Sequence, residues 1–177
     1  MHLNYVPLTQ IYTLITSIQT LTRGRNMGMH TITLEQAANV PRKVLFQLLS
    51  DHDNLGRFFD AKYSLVKHGK PEINGIGAIR KVTNGPFTFQ EQIIDYKENE
   101  HLQYKIIDGS PIEEHGGWIR FKTINASRSL ILYRINFTPR IRGTGWLIKL
   151  LLEKNIKRAL HNIAQFSETK WKHNASH

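Results

Sequence analysis

Two charged residues stand on stretches of the chain that otherwise have the pattern of half-buried strands. Arg80 would share a strand face with Val82, and Glu91 would share one with Phe89 and Ile93. A lone charge on a buried face is costly because it loses its water. Two alternatives follow: the charges pair across a sheet, or one or both lie in water at a sheet edge. A pair inside an apolar space could bind and polarise a polar group of a substrate.

Two tyrosines add hydroxyl groups to faces of the same kind. Tyr104 alternates with Leu102 and Ile106, and Tyr133 alternates with Ile131. A few polar groups in an apolar lining commonly fix the orientation of a ligand. The two hydroxyls would therefore orient a carbonyl or hydroxyl group of a ligand, or they belong to core residues whose hydrogen bonds are satisfied internally.

The sequence offers no set of residues for covalent or metal-dependent catalysis. It contains no cysteine, which excludes disulfides, thiolate metal sites and cysteine nucleophiles. No nucleophile stands with a base, and no carboxylates are paired, at a spacing that supports catalysis. Asp51-His52-Asp53 carries metal-binding side chains, but adjacent residues at a helix end point in different directions. We therefore predict no catalytic residue, no metal and no cofactor.

Four further histidines are predicted to be solvated. His68, His101 and His115 stand beside turn residues, and His161 falls on the polar face of a predicted helix. We expect none of them to take part in a site.

The elements that would position these residues are seven strands and three helices. A first strand is predicted near residue 30, a helix opens at Pro41, and a short helix covers Leu55 to Phe59, with 51–54 breaking the chain between the two helices. Apolar runs separated by turn residues then predict six strands, at 63–67, 76–82, 87–96, 102–107, 118–124 and 130–138. A long helix over 144–170 ends the pattern. This order predicts an α+β fold whose helices lie on one side of a curved antiparallel sheet.

The long helix carries an apolar stripe that should lie on the sheet. The stripe recurs every three or four residues, at Ile148, Leu152, Ile156, Leu160 and Ile163. The first two turns differ, because the segment from Trp146 to Leu152 is apolar almost all the way round and only Lys149 interrupts it. Either that end is buried on several sides, or it lies at the mouth of an apolar opening.

A curved sheet packed on a helix leaves a concave and mostly apolar space, and small molecules commonly bind in such spaces. The inward strand faces and the helix stripe would meet there. We therefore predict that a ligand contacts Arg80, Phe89, Glu91, Tyr104, Ile119, Phe121, Tyr133, Phe137, Leu152, Ile156 and Leu160.

The positive charge of the chain is concentrated in its last third. The net charge is +10, and residues 115–177 hold twelve Lys and Arg against two Asp and Glu, whereas residues 1–114 hold twelve of each kind. This asymmetry indicates an anionic partner, namely a membrane surface, nucleic acid or an acidic ligand; the alternative is a general aid to solubility.

The start of the long helix has the composition of a membrane-docking patch. Cations surround exposed apolar candidates there, and the predicted patch consists of Arg140, Arg142, Trp146, Leu147, Lys149 and Leu150. The alternative is that the tryptophan and leucines are buried against the strands or in a dimer interface.

The first 28 residues differ from the rest and are predicted to be an N-terminal extension to a ligand-binding domain at 29–172. The uncharged run from Leu8 to Thr22 has helical spacing, but it lacks the features of a secretory signal and is too polar for a membrane span. It is either an interfacial helix or a loose tail ahead of a translation start at Met27 or Met29.

Several motifs together resemble one known superfamily. They occur in the order Gly75-x-Gly77-x-x-Arg80, Leu102-x-Tyr104-x-Ile106, Gly109-Ser110-Pro111, Gly117-x-Ile119-x-Phe121 and Ser129-x-Ile131-x-Tyr133-x-x-x-Phe137-x-Pro139, followed by the long helix. Over residues 29–168 this resembles the SRPBCC superfamily of START-like and birch-pollen-allergen-like helix-grip proteins, in particular its polyketide cyclase/dehydratase and lipid-transport branch. The resemblance implies a seven-stranded antiparallel sheet that grips the last helix around an apolar cavity.

The resemblance also implies a function, since these proteins mostly bind or carry hydrophobic ligands and a minority are cyclases. We interpret the chain as a cytoplasmic protein that binds or transports a hydrophobic small molecule or lipid, with peripheral association with an anionic membrane. The alternative is a polyketide cyclase/dehydratase-like enzyme that uses Arg80, Glu91 and the tyrosines. A nucleic-acid binder is suggested by charge alone, and no recognised nucleic-acid motif supports it.

Overall fold

The computed structural model describes residues 28–110 and 112–175. Its helices and strands follow the order β1 (His30–Ala38), α1 (Arg42–Ser50), α2 (His52–Phe59), β2 (Lys62–Lys67), β3 (Ile79–Asn84), β4 (Phe87–Lys97), β5 (His101–Asp108), β6 (Ile112–Asn125), β7 (Arg128–Pro139) and α3 (Gly145–Ala175). The sequence over 1–27, which holds nearly all of the predicted extension, lies outside the described residues.

The seven strands form one antiparallel sheet in the order β1-β7-β6-β5-β4-β3-β2. Strands β2 to β7 are a meander, and β1 joins the sheet beside β7 with Ile32 opposite Ile135. Register shifts interrupt β4 near Ile93 and β6 near Glu114, and such bulges bend and twist a sheet. The α+β helix-grip architecture is therefore confirmed.

The largest differences from the sequence prediction are at four boundaries. Strand β6 begins at Ile112 rather than at 118, β3 begins at Ile79 rather than at 76, and α3 ends at Ala175 rather than near 170. Only Asp51 separates the first two helices, because α2 already begins at His52. Residues 52–54, which were expected to break the chain, form the first turn of α2.

Helix α3 packs across β1 and contacts α1 and α2. In its apolar stripe, Ile148, Ile156, Leu160 and Ile163 are buried and Leu152 is half-buried. Fully burying such a side chain contributes about 1.5–3 kcal/mol each. The predicted stripe is confirmed, and it holds the helix on the concave face of the sheet.

The first turn of α3 approaches β1 closely. A Cβ atom on Gly145 would lie 1.9 Å from Nε2 of His30, so a larger residue would displace that ring. Thr144 precedes the helix, and its carbonyl oxygen accepts a hydrogen bond from the Ile148 amide at 3.0 Å. The Thr144 hydroxyl donates to the Ile141 carbonyl at 2.7 Å. The start of the helix is thus fixed on one side.

The opposite side of this turn faces outward. Trp146 is 65% exposed and Leu150 is 58% exposed, whereas Leu151 is buried. Burial on several sides, one of the two interpretations of this segment, is therefore wrong. No helix within 28–110 and 112–175 has the length and apolar character that crossing a membrane requires.

Candidate ligand-binding pocket

A pocket of about 180 Å³ lies between the concave face of the sheet and helices α2 and α3. Every strand except β1 contributes to its wall, and most of the lining is apolar. Its helix side is formed by Leu49, Leu55, Phe58, Phe59, Ile148, Leu152, Asn155, Ile156 and Arg158. Its sheet side includes Tyr63, Arg80, Val82, Phe87, Phe89, Glu91, Tyr104, Ile106, Ile112, His115, Ile119 and Tyr133.

The structure brings eight of the eleven predicted ligand contacts to this wall: Arg80, Phe89, Glu91, Tyr104, Ile119, Tyr133, Leu152 and Ile156. The other three do not line the pocket. Phe121 packs edge-on against Phe46 of α1, with ring centroids 5.4 Å apart. Phe137 stacks on His30, and Leu160 is buried in the core. Phe121 and Phe137 lie on the inward face of the sheet, but α1 covers the first and His30 of β1 covers the second.

Arg80 and Glu91 form a buried ion pair across β3 and β4. They stand directly opposite each other, and the Arg80 Nε atom donates to Glu91 Oε2 at 2.6 Å. Their side chains are 5% and 7% exposed. Burial alone would lower the pKa of Arg80, but the negative charge of Glu91 raises it above its ordinary value. Pairing across the sheet is confirmed, and the alternative of an edge position in water is wrong.

Two aromatic rings flank the guanidinium group. The Arg80 Cζ atom lies 5.3 Å from the centroid of the Tyr63 ring and 5.4 Å from that of Tyr104. A cation beside aromatic faces is attracted by their quadrupoles. The Arg80 Nη1 atom is nevertheless buried without a hydrogen-bond partner. The pair is thus electrically balanced, and the N–H groups of Arg80 Nη1 have no acceptor.

The two predicted tyrosine hydroxyls bond to each other. The Tyr104 and Tyr133 oxygens are 2.5 Å apart, and burial raises the pKa of both phenols well above the ordinary value, so both remain protonated. One hydroxyl donates to the other, and the accepting hydroxyl keeps its own hydrogen. The alternative of core residues whose hydrogen bonds are satisfied internally is confirmed. Both residues also line the pocket, and the orientation of a ligand by their hydroxyls stays a prediction.

A glycine makes room for one of these rings. Gly117 of β6 is the register partner of Tyr104, and a Cβ atom at that position would lie 2.3 Å from the tyrosine ring. The ring therefore lies across the glycine, and its hydroxyl reaches Tyr133. No side chain other than hydrogen fits at Gly117 while the ring stays there.

His115 was predicted to be solvated, and this prediction is wrong. Its ring lies edge-on to Tyr104 with centroids 6.2 Å apart, and its Nδ1 atom is buried without a hydrogen-bond partner. Burial lowers the pKa of His115 to about 4, so the ring is neutral at pH 7. The signal was present in the sequence, because alternation continued back from Ile119 through Gly117 places residue 115 on the inward face.

His52 is a second buried histidine, which the sequence analysis considered only as a part of Asp51-His52-Asp53. It is 2% exposed, its Nδ1 atom has no hydrogen-bond partner, and burial together with the charge of Arg80 lowers its pKa to about 3. Asp51 and Asn54 bond to each other instead of to this ring. Across the part of the chain that the structure describes, no three His, Asp or Glu residues are placed to hold a metal ion.

The remaining histidines lie away from the pocket. His68 and His161 are exposed, as predicted. His101 is half-buried and pairs with Asp95 at 2.9 Å, so the expectation that it is simply solvated is wrong.

The predicted docking residues are divided between exposed and half-buried positions. Trp146, Leu150, Arg140 and Arg142 are exposed, whereas Leu147 and Lys149 are half-buried. Arg140 lies 3.5 Å from the Glu113 carboxylate. The apolar side chains at this end are thus accompanied by cations. The Glu113 carboxylate partly offsets the charge of Arg140.

Comparison with solved structures identifies relatives in fold. The chain is similar to Ara h 8.0201, with 16% sequence identity and a TM-score of 0.65 over 80% of this chain and 99% of that one. It is similar to the ZhuI aromatase/cyclase from Streptomyces sp. R1128, with 15% identity and a TM-score of 0.68 over 80% and 94%. It is also similar to the protein XoxI from Bacillus cereus, with 18% identity and a TM-score of 0.61 over 76% and 93%.

These similarities confirm the helix-grip fold that the sequence motifs indicated. No protein-family model and no curated protein sequence matches the chain. At 15–18% identity the similarity extends to the fold alone.

The contact between Gly117 and Tyr104 generates a stability prediction. Gly117→Ala should lower the free energy of unfolding by about 1–3 kcal/mol, because the new methyl group displaces the ring. In a Tyr104→Ala background the same change should have little effect, since the obstacle is gone. Urea denaturation of the four proteins of this double-mutant cycle measures the coupling. Additive effects would show that the ring and the glycine do not constrain each other.

The lowered pKa of His52 generates a pH prediction. The unfolded chain takes up the His52 proton near pH 6.5, whereas the folded state resists it until about pH 3, so stability falls as the pH falls through this window. His52→Gln should therefore lose on the order of 2 kcal/mol less stability between pH 7 and pH 4.5 than the parent.

The matched control is His68→Gln, because His68 is exposed. Urea denaturation at the two pH values should give the parent's pH dependence for this variant. The same pH dependence in His52→Gln would show that His52 is accessible to protons in the folded state.

Proposed function

We propose that this protein binds a hydrophobic small molecule or lipid in the pocket between the sheet and α3. The observation that carries the proposal is a mostly apolar wall that includes a few polar side chains, among them Arg80 and His115, each of which has a buried nitrogen without a hydrogen-bond partner. Buried polar atoms in folded proteins are rarely unpartnered, and ligand pockets commonly have this composition.

Around the Arg80–Glu91 pair, the electrostatics of the wall favour a ligand group without net charge. Glu91 balances Arg80, and the neighbouring tyrosines and His115 are neutral at pH 7. A buried anion or cation would therefore lack a compensating charge at this position, which is costly in an apolar environment. A neutral molecule with an apolar body and one or two polar groups fits these groups best.

The second candidate function is cyclase-like catalysis on a hydrophobic substrate. It is favoured by one observation, the convergence of Arg80 and Glu91 on the pocket wall beside two tyrosine hydroxyls. A neutral hydroxyl and a guanidinium donor can stabilise charge on a reacting carbonyl. Mass spectrometry can separate a binder from an enzyme. It is applied, before and after incubation, to the small molecules that co-purify with the protein from its own host. A cyclase changes the mass or the isomer of its substrate.

The pocket proposal predicts that filling the space from the α3 side blocks binding. Leu152→Trp and Ile156→Trp each place a large ring in the lining. Each should weaken uptake of a neutral apolar probe, N-phenyl-1-naphthylamine, by tenfold or more. The free energy of unfolding should change by less than the roughly 1–3 kcal/mol that overpacking a solid core costs. Probe fluorescence measures uptake, and urea denaturation measures stability.

The control for these variants is Lys157→Trp, which adds the same side chain at an exposed position next to Ile156. It should bind the probe as the parent does. If the parent does not bind the probe, or if neither pocket variant changes its binding, the pocket is not a ligand site.

The proposal includes docking on an anionic membrane through the start of α3. We use the name basic tip for the set of residues Arg140, Arg142, Trp146, Leu147, Lys149 and Leu150. Its two exposed apolar side chains, Trp146 and Leu150, are one helical turn apart and therefore project together. Each nearby Lys or Arg contributes about 1 kcal/mol on an anionic leaflet, and inserted apolar side chains add to that.

Membrane docking predicts binding that depends on lipid charge. The variant Arg140→Glu, Arg142→Glu, Trp146→Ala should sediment less with phosphatidylserine-containing vesicles than the parent, and the parent's binding should decrease with added salt because surface charges are screened. Co-sedimentation with vesicles of graded phosphatidylserine content measures both effects.

A variant of the β6–β7 hairpin provides the matched control. Lys122→Glu, Arg128→Glu, Ile124→Ala removes the same charges and one exposed apolar side chain at another place on the surface. It should bind nearly as the parent does. Equal binding to neutral and anionic vesicles, no binding to either, or an equal loss in both variants would each show that the basic tip is not a docking site.

A further inference from the structure

A bulge in β6 allows both Ile112 and His115 to lie on the inward face of the sheet. Glu113 pairs with Thr138 and Gly116 pairs with Asn136, so β6 has two residues where β7 has one. The extra residue lets both Ile112 and His115 line the pocket although they are three positions apart. In an unbroken strand, only one of these two side chains would point inward.

The bulge is a strained piece of backbone that is held by a specific contact. Glu114 has φ of 48°, a conformation that is uncommon for residues other than glycine. Its carboxylate accepts a hydrogen bond from the Thr138 hydroxyl at 2.7 Å, which ties the bulge to β7. Strained backbone is often found at binding sites, where the surrounding structure holds it in place.

The histidine at this bulge adds a neutral polar ring to the wall of the pocket. His115 is half-buried and lines the pocket, its Nδ1 atom is enclosed without a hydrogen-bond partner, and the ring carries no charge at pH 7 because burial lowers its pKa to about 4. A neutral imidazole has one nitrogen that donates and one that accepts. A hydroxyl group can bond a ring nitrogen in either tautomer, because it can donate as well as accept, whereas a carbonyl or ether oxygen can bond only the one that donates.

We propose that His115 is a specificity-determining residue that hydrogen-bonds a hydroxyl group of the ligand through its ring, so that the pocket selects hydroxylated apolar molecules over their hydrocarbon counterparts. This inference rests on the proposed ligand-binding function and adds the chemical class of the ligand. His115 acts beside Arg80 and not through it, since the ring and the guanidinium group approach Tyr104 in separate contacts at 6.2 Å and 5.4 Å.

The test compares two probes of nearly the same shape, 2-naphthol and 2-methylnaphthalene, which differ in a hydroxyl and a methyl group. His115→Phe should weaken the binding of 2-naphthol roughly fivefold to tenfold, the effect of one hydrogen bond, and leave that of 2-methylnaphthalene within about twofold. His115→Gln keeps a donor and an acceptor, so it should retain part of the preference. Dissociation constants from fluorescence titration give the ratios.

A second readout uses the unmodified protein and does not depend on how the variants fold. The ¹⁵N resonances of the His115 ring should shift when 2-naphthol is added and stay nearly unchanged with 2-methylnaphthalene. If both probes bind, but the ratio is the same in His115→Phe and the ring resonances do not distinguish them, the inference about His115 is wrong and the pocket remains a ligand site. If neither probe binds, the proposed function itself fails.

Discussion

The ion pair between Arg80 and Glu91 constrains the rest of the pocket, because neither charge could remain in this apolar interior without the other. Removing one partner of such a pair typically costs about 3–5 kcal/mol, since the remaining charge is buried and uncompensated. The pair exists only because β3 and β4 are in a register that places the two residues opposite each other. Tyr63 and Tyr104 enclose the guanidinium group, and its charge contributes to keeping His52 neutral. The pocket thus contains charged groups and still has no net charge at its polar end.

The shape of the sheet follows from a small number of local irregularities. The register shifts in β4 and β6 interrupt the regular ladder, and curvature of this kind opens a concave face. Gly117 then lets the Tyr104 ring lie over β6, and the bulge at Glu114 lets both Ile112 and His115 reach the wall. The polar end of the pocket therefore depends on backbone features of one strand, β6, as much as on the side chains that line it.

The sequence was sufficient for features that repeat regularly and insufficient for those set by one irregular residue. Strand alternation placed Arg80 and Glu91 on inward faces, and helical spacing identified the stripe of α3, because both depend on a period that many residues share. His115 was missed because β6 was expected to begin at 118, so the alternation that places residue 115 on the inward face was not followed back that far. The bulge at Glu114, which brings Ile112 to the same face, has no periodic signal in the sequence. The sequence also could not separate Ile119, which lines the pocket, from Phe121, which does not, since that depends on where Phe46 of a distant helix packs.

The start of α3, apolar almost all the way round in sequence, resolves into two stripes with different roles. Ile148 and Leu152 are one turn apart and face the pocket, whereas Trp146 and Leu150 are one turn apart and face outward. Neighbouring residues of a helix are about 100° apart, so stripes offset by two residues lie on nearly opposite sides. The inward stripe is fully accounted for by the fold. The outward stripe is not, because an exposed tryptophan and leucine beside several cations gain nothing from packing within this chain, and such a surface is typical of a contact with a partner. The same two turns of helix thus connect the wall of the pocket with the surface that we propose meets the membrane.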